Sequence, residues 1–384
     1  MDYLKYGKRV FVKRGASPLY FVFFVTSNCN ARCKHCLLGE RPKATGELTI
    51  DEIEKVSRSM DDMLFFTPTG GEPFLRDDLA EIVKIFHKNN SAINVGIPTN
   101  GSLTDRVVTS VRDMLEGCPD VDLHLDVSID ALGEDHDNIR GVQGLFERAI
   151  ETYKELRVVE KHYKNFTVCV EITVSAYNQD KLFELYHYLV NHVGVDTIFT
   201  LLTRGAPRDP AAKNFDIAKY EEFHKLLEKD LKKRVWTGYR KFPLSDFINA
   251  KRLIRPRVIA KMVRENRYQM PCYAGTLGGA MFSKGEVLVC ELLSDKVLGN
   301  VRENDYDFKR IWFSEKADEV RKYVRDTKCF CTYECYLTIN ILFNPRMLAQ
   351  VLKEWAALKL SKMSYKMGNI LRGNIILKEN EHDV

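Results

Sequence analysis

The fold of this chain is decided by one short stretch near its start, Thr26-Ser27-Asn28-Cys29-Asn30-Ala31-Arg32-Cys33-Lys34-His35-Cys36. Three cysteines, Cys29, Cys33 and Cys36, lie within eight residues in a Cys-x3-Cys-x2-Cys pattern. The residues between them are mostly polar, and the next cysteine along the chain is the distant Cys118. A metal centre on three thiolates keeps one coordination position open, which is typical of a reactive site.

The spacing favours an iron–sulfur cluster over a structural zinc site. A zinc finger or ribbon needs a second pair of Cys or His about 12 to 20 residues away. Cys118 lies far beyond that distance. Three unrelated core cysteines are a further alternative, but the polar residues between them do not suit a buried segment. A cluster with one iron that lacks a protein ligand fits the pattern best.

The composition is that of a soluble globular protein with more than one unit. The chain has 384 residues, of which 45% are hydrophobic and 29% are charged. The net charge of +5 is mild for this length. Because no dense basic stripe with interleaved aromatic residues occurs, we do not expect nucleic-acid binding.

The ten cysteines do not indicate disulfide bonds. The start of the chain is charged, and the first apolar run, residues 19–25, is too short for a membrane span and leads directly into the cysteine stretch. Clustered thiolates without an export signal favour metal binding in a reducing compartment. We therefore expect a cytoplasmic protein that at most contacts a membrane surface.

Strand and helix patterns alternate after this point. The predicted strands are residues 19–26, 64–69, 93–99, 121–129, 166–174 and 197–203. The predicted helices are residues 49–63, 77–88, 105–115, 145–160 and 180–191, the first with a capping box formed by Thr49 and Glu52. Six β/α units in series predict an α/β fold with a parallel sheet wound toward a barrel.

Polar and apolar residues alternate along three of these strands. The polar residues are His124, Asp126, Ser128 and Asp130 in one strand and Thr167, Cys169, Glu171, Thr173 and Ser175 in the next, and the preceding strand repeats the pattern more weakly with Asn94, Gly96 and Pro98. Parallel strands that are buried on both faces should instead read as unbroken apolar runs. The polar face is therefore predicted to line a ligand-filled interior, with an ordinary half-exposed sheet as the alternative.

Polar loops follow the predicted strands at the edge where ligands of such sheets bind. Gly70-Gly71-Glu72-Pro73 follows the second strand, and its glycines allow close backbone approach while the glutamate can accept from an ammonium group. Thr99-Asn100-Gly101 and Ser128-Ile129-Asp130 follow the next two strands, and His136 and Arg140 come soon after. A hydroxyl and a carboxylate suit a ribose, and an arginine suits a carboxylate. Each signal alone could be a simple turn or salt bridge.

Taken together, these residues resemble those of the radical S-adenosylmethionine (radical SAM) enzymes. The resemblance rests on Cys29, Cys33 and Cys36 with Gly70-Gly71-Glu72-Pro73 one β/α unit later, and it covers about residues 19–204. It implies a partial (β/α)6 barrel and a four-iron four-sulfur cluster on the three cysteines. The amino and carboxylate groups of S-adenosylmethionine would chelate the open iron. Reductive cleavage would release a 5′-deoxyadenosyl radical, with a flavodoxin- or ferredoxin-type protein as electron donor.

The resemblance also implies roles for individual residues around the S-adenosylmethionine. Gly70, Gly71 and Glu72 would hold the amino group, and Ser128 and Asp130, with Asn100 nearby, would contact the ribose region. His35 takes the place where the family usually has an aromatic residue. Arg140 would bind the carboxylate, with Arg148 as a competitor.

A second set of cysteines lies in the C-terminal third of the chain, within 64 residues and around a predicted hairpin at residues 280–289. Its members are Cys272, Cys290, Cys329, Cys331 and Cys335. The pattern resembles the auxiliary-cluster extension known as the SPASM or Twitch domain, in its form with one four-iron four-sulfur cluster. One cysteine is then surplus, and the short Cys329-x-Cys331 spacing leaves the last two ligands open. Zinc on four thiolates is the alternative.

These signals divide the chain into five parts. They are an N-terminal extension at 1–18, the barrel at 19–207, a helical connector at 208–270, the auxiliary-cluster domain at 271–340 and a helical tail at 341–384. The tail is predicted to begin with an amphipathic, basic helix at 344–367. This helix could dock on the body of the protein, or it could meet a membrane or a lipid-linked substrate.

The sequence predicts an oxidoreductase that acts on a small-molecule, sugar or lipid-type substrate. Candidate catalytic residues on the polar face are Asp126, Glu171 and Cys169, with His124 and Arg204 as further substrate-facing groups, although each could equally make an internal hydrogen bond. A peptide-modifying maturase is the alternative, disfavoured because only 28 residues precede Cys29 and leave no room for an N-terminal leader-binding domain. A non-catalytic iron–sulfur electron carrier or scaffold is a third possible function. It is disfavoured because the polar barrel face would then have no purpose.

Overall fold

A computed structural model describes residues 16–39, 45–233, 235, 238 and 245–361. The strands are β1 (Tyr20–Thr26), β2 (Phe65–Gly70), β3 (Asn94–Thr99), β4 (Asp122–Ser128), β5 (Phe166–Val174), β6 (Ile198–Leu202), β7 (Gly278–Met281), β8 (Glu286–Leu288) and β9 (Gly299–Asn300). The helices are α1 (Ile50–Ser59), α2 (Leu79–Asn90), α3 (Thr104–Gly117), α4 (Gly133–Arg140), α5 (Leu145–His162), α6 (Leu182–Tyr188), α7 (Ile217–Lys232), α8 (Ser245–Glu265), α9 (Phe308–Trp312), α10 (Glu315–Asp326), α11 (Glu334–Phe343) and α12 (345–361).

Strands β1 to β6 form the predicted parallel barrel wall. They pair in chain order, and the helices between them cover the outer face. The apolar residues of β4, Leu123, Leu125 and Val127, are fully buried in the core with Val107 of α3 and Ala149 of α5. Since β6 ends the wall without pairing to β1, the barrel is partial, as the sequence predicted.

β1 is the centre of the whole sheet. All seven of its residues are buried, and the strand pairs in parallel with β2 on one side and with β7 on the other. Its aromatic residues continue into the helical layer, where Phe21 packs edge-on to Phe308 of α9 with ring centroids 5.6 Å apart. An unbroken β-branched and aromatic run suits this doubly buried position.

The hairpin predicted at 280–289 is present as β7 and β8, but it does not stand alone. β7 runs parallel to β1 and extends the barrel sheet to nine strands. The sequence did not predict this pairing. The two glycines of β7 make it possible, because a Cβ on Gly278 would lie 2.5 Å from the Tyr336 ring and one on Gly279 would lie 2.8 Å from the Trp312 ring.

The capping box at the start of α1 is confirmed, and it also joins the two halves of the fold. The Glu52 carboxylate accepts from the Thr49 backbone N–H at 2.8 Å, and the Thr49 hydroxyl accepts from the Glu52 N–H at 3.4 Å. Arg302, which follows β9, donates to the same carboxylate at 2.7 Å. Hydrogen bonding to Arg302 lowers the pKa of Glu52 to about 2.

The connector is helical, as predicted, and consists of α7 and α8 within its described residues. The tail continues as α12, whose Val351 and Leu358 are buried in the common core while Leu352 is 46% exposed. The docked form predicted as one alternative therefore holds for residues 345–361, and the rest of the tail lies outside the described residues. No described helix is both long and apolar enough to cross a membrane.

Phe308→Ala should lower the free energy of unfolding by about 3–5 kcal/mol, because it leaves a cavity where β1 meets the C-terminal unit. Phe308 is fully buried, whereas Phe313, five residues later, is 43% exposed. Phe313→Ala is the matched control and should change stability by less than about 0.5 kcal/mol. Urea unfolding followed by circular dichroism measures both; equal effects would contradict the packing described above.

Candidate active site

A cavity of about 470 Å³ opens at the carboxyl ends of β1 to β6. It is lined by all three cysteines of the N-terminal stretch and by polar residues from successive strands. The predicted polar face of the sheet does line this interior, with Gly96 and Pro98 from β3, His124 and Asp126 from β4, and Glu171 from β5. The cavity is thus placed where ligands of parallel α/β sheets bind.

The loop that carries the three cysteines is held by backbone hydrogen bonds from two sides. The N–H groups of Arg32 and Lys34 donate to carbonyl oxygens at the end of α4, each at 2.9 Å. From the opposite side, the Arg208 N–H donates to the Cys36 carbonyl at 3.0 Å, and the Arg208 guanidinium donates to the Gly39 carbonyl at 2.9 Å. Arg208 could not be predicted from the sequence, because it lies 172 residues after Cys36 and belongs to no motif.

Gly70 and Gly71 bring a second loop into direct contact with the cysteine loop. A Cβ on Gly71 would lie 2.0 Å from the Asn28 carbonyl oxygen and 2.9 Å from the Cys29 Cβ, so no side chain fits there. The Gly71 N–H donates to the Thr26 carbonyl at 2.9 Å, and the Glu72 N–H donates to the Asn28 carbonyl at 2.8 Å. The two glycines therefore allow the close backbone approach that was predicted, and the segment that they approach is the cysteine loop.

The Glu72 carboxylate is fixed in a buried position at the edge of the cavity. It accepts from the Thr99 hydroxyl at 2.8 Å and from the Asn100 N–H at 2.7 Å. Burial raises the pKa of Glu72 to about 7, although these hydrogen bonds act in the opposite direction. The side chain of Asn100 lines the cavity too and donates to Asn30 at 2.8 Å.

Asp130 lies behind the cavity wall and positions its neighbours. One of its oxygens accepts from the Arg140 Nε at 2.7 Å, and the other accepts from the Thr173 N–H at 2.7 Å. Arg140 and His35 both line the cavity, and the His35 ring nitrogen lies 3.7 Å from Asp130. Burial lowers the pKa of His35 to about 4, so the ring is neutral at pH 7. Ser128 lines the cavity as well.

The remaining candidate catalytic and substrate-facing residues do not all face the cavity. Asp126, Glu171, His124 and Arg204 face the cavity, whereas Cys169 is fully buried beside Asp126. Burial raises the pKa of both Asp126 and Glu171. Arg148, the competitor of Arg140, is at the surface, where it donates to the Gln143 carbonyl at 3.1 Å.

The C-terminal unit adds residues to the same cavity that the sequence analysis did not assign. Glu334 forms an ion pair with Arg204 at 2.7 Å, and the Arg204 guanidinium lies 4.4 Å above the Tyr333 ring. Glu291 and Tyr333 line the cavity. The available signal was their position beside cysteines, since Glu291 follows Cys290 directly and Tyr333 lies inside the last cysteine motif.

The second set of cysteines does not gather at one place. Cys272, Cys329 and Cys331 line a small separate cavity, and Cys290 lies near Cys272 and Cys331. Cys335 instead lines the large cavity. Among the described residues, no three His, Cys, Asp or Glu side chains are placed to share one metal ion. A mononuclear zinc site requires that arrangement, whereas in a cluster each thiolate binds a different iron.

Two family models match the chain. One, described as the radical SAM superfamily, matches residues 23–189, and the other, described as the SPASM iron–sulfur cluster-binding domain, matches residues 272–336. The chain belongs to the radical SAM superfamily. Its C-terminal unit is a SPASM domain, which confirms both resemblances. Both matches support the cofactors expected from the resemblance, which are a four-iron four-sulfur cluster, the S-adenosylmethionine that it would bind and an auxiliary four-iron four-sulfur cluster.

Several known proteins are similar to this chain. An AdoMet-dependent heme synthase of Methanosarcina barkeri is 29% identical, with 83% of this chain and 89% of that protein covered. Streptococcus suis SuiB bound to S-adenosylmethionine matches with a TM-score of 0.58 and 16% identity, covering 80% of this chain and 68% of SuiB. The structure of anSMEcpe with bound AdoMet has the same TM-score and identity and covers 92% of this chain and 96% of its own. The two structures share the fold.

The residues of the cavity fit these cofactors. Three thiols from one loop leave one iron of a cluster open, and a carboxylate held by Thr99 and Asn100 suits an ammonium group next to it. The glycine cradle at Gly70 and Gly71 keeps the backbone in contact with the thiol-bearing loop. The Arg140 guanidinium, 3.8 Å from the Cys33 sulfur, places a positive charge beside the thiols.

Gly71→Ala should displace the cysteine loop, because the new methyl group would overlap the Asn28 carbonyl. After anaerobic reconstitution, bound iron should fall from about eight to about four atoms per chain, the loss of one cluster. Gly117→Ala is the control, since its methyl group would meet only the flexible end of Lys84. If Gly71→Ala keeps the iron content of the parent protein, the close approach does not hold the loop.

Proposed function

We propose that this radical SAM enzyme is an oxidoreductase that removes a hydrogen atom from a small polar molecule, such as a sugar derivative, bound in the barrel cavity. The observation that carries the proposal is the continuity of the site. The N-terminal cysteines, the polar barrel strands and the SPASM residues Glu291, Tyr333 and Cys335 all line one cavity.

The cofactor end of the cavity is formed by residues from four neighbouring elements. Cys29, Cys33 and Cys36 would hold the cluster, and when bound, the cluster and S-adenosylmethionine supply a 5′-deoxyadenosyl radical for hydrogen abstraction. Glu72 would accept from the amino group of S-adenosylmethionine. Arg140, fixed by Asp130 at 2.7 Å, would face the carboxylate.

Ser128 and Asn100 would contact the ribose region, and the buried His35 would pack near the cofactor. Asp130 supports Arg140 and His35 from behind, so we assign it a positioning role. An electron donor of the flavodoxin or ferredoxin type would reduce the N-terminal cluster. These assignments are those that the family resemblance implies, and they are supported by which side chains face the cavity.

The substrate end of the cavity is polar, and some of its buried polar atoms lack a hydrogen-bond partner among the described residues. The Asp126 Oδ1 atom is buried and has no hydrogen-bond partner within the described part of the chain. Glu171 lies nearby, and burial raises the pKa of both carboxyl groups. Buried polar atoms without partners are costly, which favours a ligand that supplies the missing hydrogen bonds. Hydroxyl groups of a small substrate would do so, whereas a lipid chain would not.

The position of the SPASM domain beside this cavity supports a role in electron exchange. Tyr333 lines both the large cavity and the small one that contains Cys272, Cys329 and Cys331. One aromatic residue therefore separates the substrate from the auxiliary thiols. An oxidation that follows hydrogen abstraction needs an acceptor for a second electron, and this short separation supports that use.

A peptide-modifying maturase is the second candidate. A structure of SuiB bound to its precursor peptide SuiA matches with a TM-score of 0.57, but at 16% identity it carries the fold alone. The heme synthase relative points to a tetrapyrrole substrate. Since S-adenosylmethionine must share the cavity of about 470 Å³, a smaller molecule fits the space better than either.

Replacing Cys29, Cys33 and Cys36 together by Ala should remove one cluster and leave the auxiliary one. Iron per chain should fall from about eight to about four atoms. The reduced variant should no longer form 5′-deoxyadenosine, because the three thiolates hold the cluster that delivers the electron. Iron and sulfide analysis with chromatography of the nucleoside measures both, and nucleoside formation at the parent rate would refute the proposed activity.

Binding of S-adenosylmethionine should strengthen as the pH rises toward 7. The pKa of Glu72 is raised to about 7 by burial, so below this pH the group is protonated and no longer offers a negative charge to the ammonium group. The dissociation constant should fall about tenfold per pH unit between pH 5 and 7 and level off above it. Glu72→Gln should remove this dependence.

Equilibrium dialysis of the reconstituted protein measures this binding. Glu134→Gln, at an exposed residue of α4, is the control and should keep the pH profile of the parent protein. An unchanged profile in Glu72→Gln would show that Glu72 does not meet the ammonium group.

A further inference from the structure

Four of the five SPASM cysteines lie together, away from the substrate cavity. Cys272, Cys329 and Cys331 line one small internal cavity. Cys290 lies beside the same group, because Tyr336 lines the small cavity and its hydroxyl donates to the carbonyl of Val289, the residue before Cys290, at 2.8 Å. The Asn340 Oδ1 atom accepts from the Tyr273 N–H at 2.9 Å, and Asn340 lines the same small cavity, so its NH₂ group is available as a donor to a sulfur there. A donor beside a cysteine sulfur is typical of the surroundings of iron–sulfur clusters.

The fifth cysteine, Cys335, points in another direction. It lies in the first turn of α11, directly after Glu334, whose carboxylate accepts from the Leu202 N–H of β6 at 2.8 Å and pairs with Arg204. This contact docks the start of α11 against the open side of the barrel. Cys335 therefore lines the large cavity and also an inner extension of about 170 Å³.

The Cys335 thiol has its own polar neighbours inside the barrel. The side chains of Tyr20 and Tyr333 line the large cavity together with Cys335. Tyr20 also contacts Thr67 of β2, with 3.2 Å between the two hydroxyl oxygens. These residues belong to the wall of the substrate cavity.

The inner extension beside Cys335 has the character of a binding site for a polar group. Arg255 of α8 lines it, is only 7% exposed, and has an Nε–H without a hydrogen-bond partner among the described residues. Asp126 lines the same extension, and its buried Oδ1 likewise lacks a partner in the described chain. A hydroxyl or amide group can accept from one and donate to the other. The extension therefore suits a neutral polar group of a substrate.

We propose that Cys335 is a substrate-facing thiol at the inner end of the barrel cavity, and that Cys272, Cys290, Cys329 and Cys331 alone hold the auxiliary cluster. The substrate group beside the thiol is a hydroxyl or an amide that bridges Asp126 and Arg255. The Cys335 thiol packs against it and limits its size.

Metal analysis of the full-length protein, reconstituted anaerobically, tests the ligand assignment. Cys335→Ser should keep the parent content of about eight iron atoms, whereas the matched variant Cys331→Ser should lose cluster iron, down to about four. Electron paramagnetic resonance of the dithionite-reduced variants should show the auxiliary signal unchanged in Cys335→Ser and altered in Cys331→Ser. Loss of about four iron atoms in Cys335→Ser would overturn the assignment.

Alkylation of the holoprotein tests where the thiol points. Iodoacetamide at alkaline pH, where a buried thiol can ionise, followed by peptide mass spectrometry, should label Cys335 and leave the four proposed ligands unlabelled, because iron-bound thiolates are protected. Saturating S-adenosylmethionine should slow the labelling of Cys335 several-fold, since it fills the mouth of the same cavity. Protection of Cys335 without S-adenosylmethionine, with labelling of Cys329 or Cys331 instead, would overturn the proposal.

This proposal assumes the auxiliary cluster that is part of the proposed function. The iron counts distinguish a failure of the Cys335 assignment from a failure of the proposed function. About eight iron atoms in the parent protein with about four in Cys335→Ser would reject the thiol assignment and leave the proposed function standing. About four iron atoms in the parent protein would reject the second cluster, and the assignment with it.

Discussion

The structure depends on the burial of β1 between two parallel neighbours. All seven residues of Tyr20–Thr26 are buried, and the strand pairs with β2 on one side and with β7 on the other. Its carboxyl end leads into the cysteine loop, and its register with β2 places Gly70 against Thr26. The same strand therefore positions the N-terminal thiols, the glycine loop and the SPASM domain relative to one another.

The buried charged groups around the cavity are of two kinds, those that form ion pairs within the protein and those that do not. Asp130 with Arg140 and Glu334 with Arg204 form ion pairs at 2.7 Å, so these charges are compensated within the protein. Among the described residues, neither Asp126 nor Glu171 forms an ion pair, and burial raises the pKa of each. The compensated pairs hold the walls in place. The two carboxyl groups are left to face whatever occupies the cavity.

The two groups of thiols are joined by packing between parts of the chain that are far apart in sequence. Tyr333 lies between the small cavity of Cys331 and the large cavity of Cys33, and Arg204 of the barrel stacks on its ring at 4.4 Å. Because β7 extends the barrel sheet, the SPASM domain is held by strand pairing as well as by side chains. This arrangement fixes the relative positions of the two groups of thiols.

The sequence by itself determined the features that are local: the Cys29–Cys36 motif, the alternation along β4 and β5, and the capping box of α1. Each is set by spacing over a few residues, which the chain keeps however it packs. Tertiary structure alone decided that β7 pairs with β1, that Asp130 supports the wall, and that Cys335 turns away from the other SPASM cysteines. The neighbours of these residues come from distant parts of the chain. The sequence next to each residue therefore does not show which surface its side chain faces, and only long-range packing decides it.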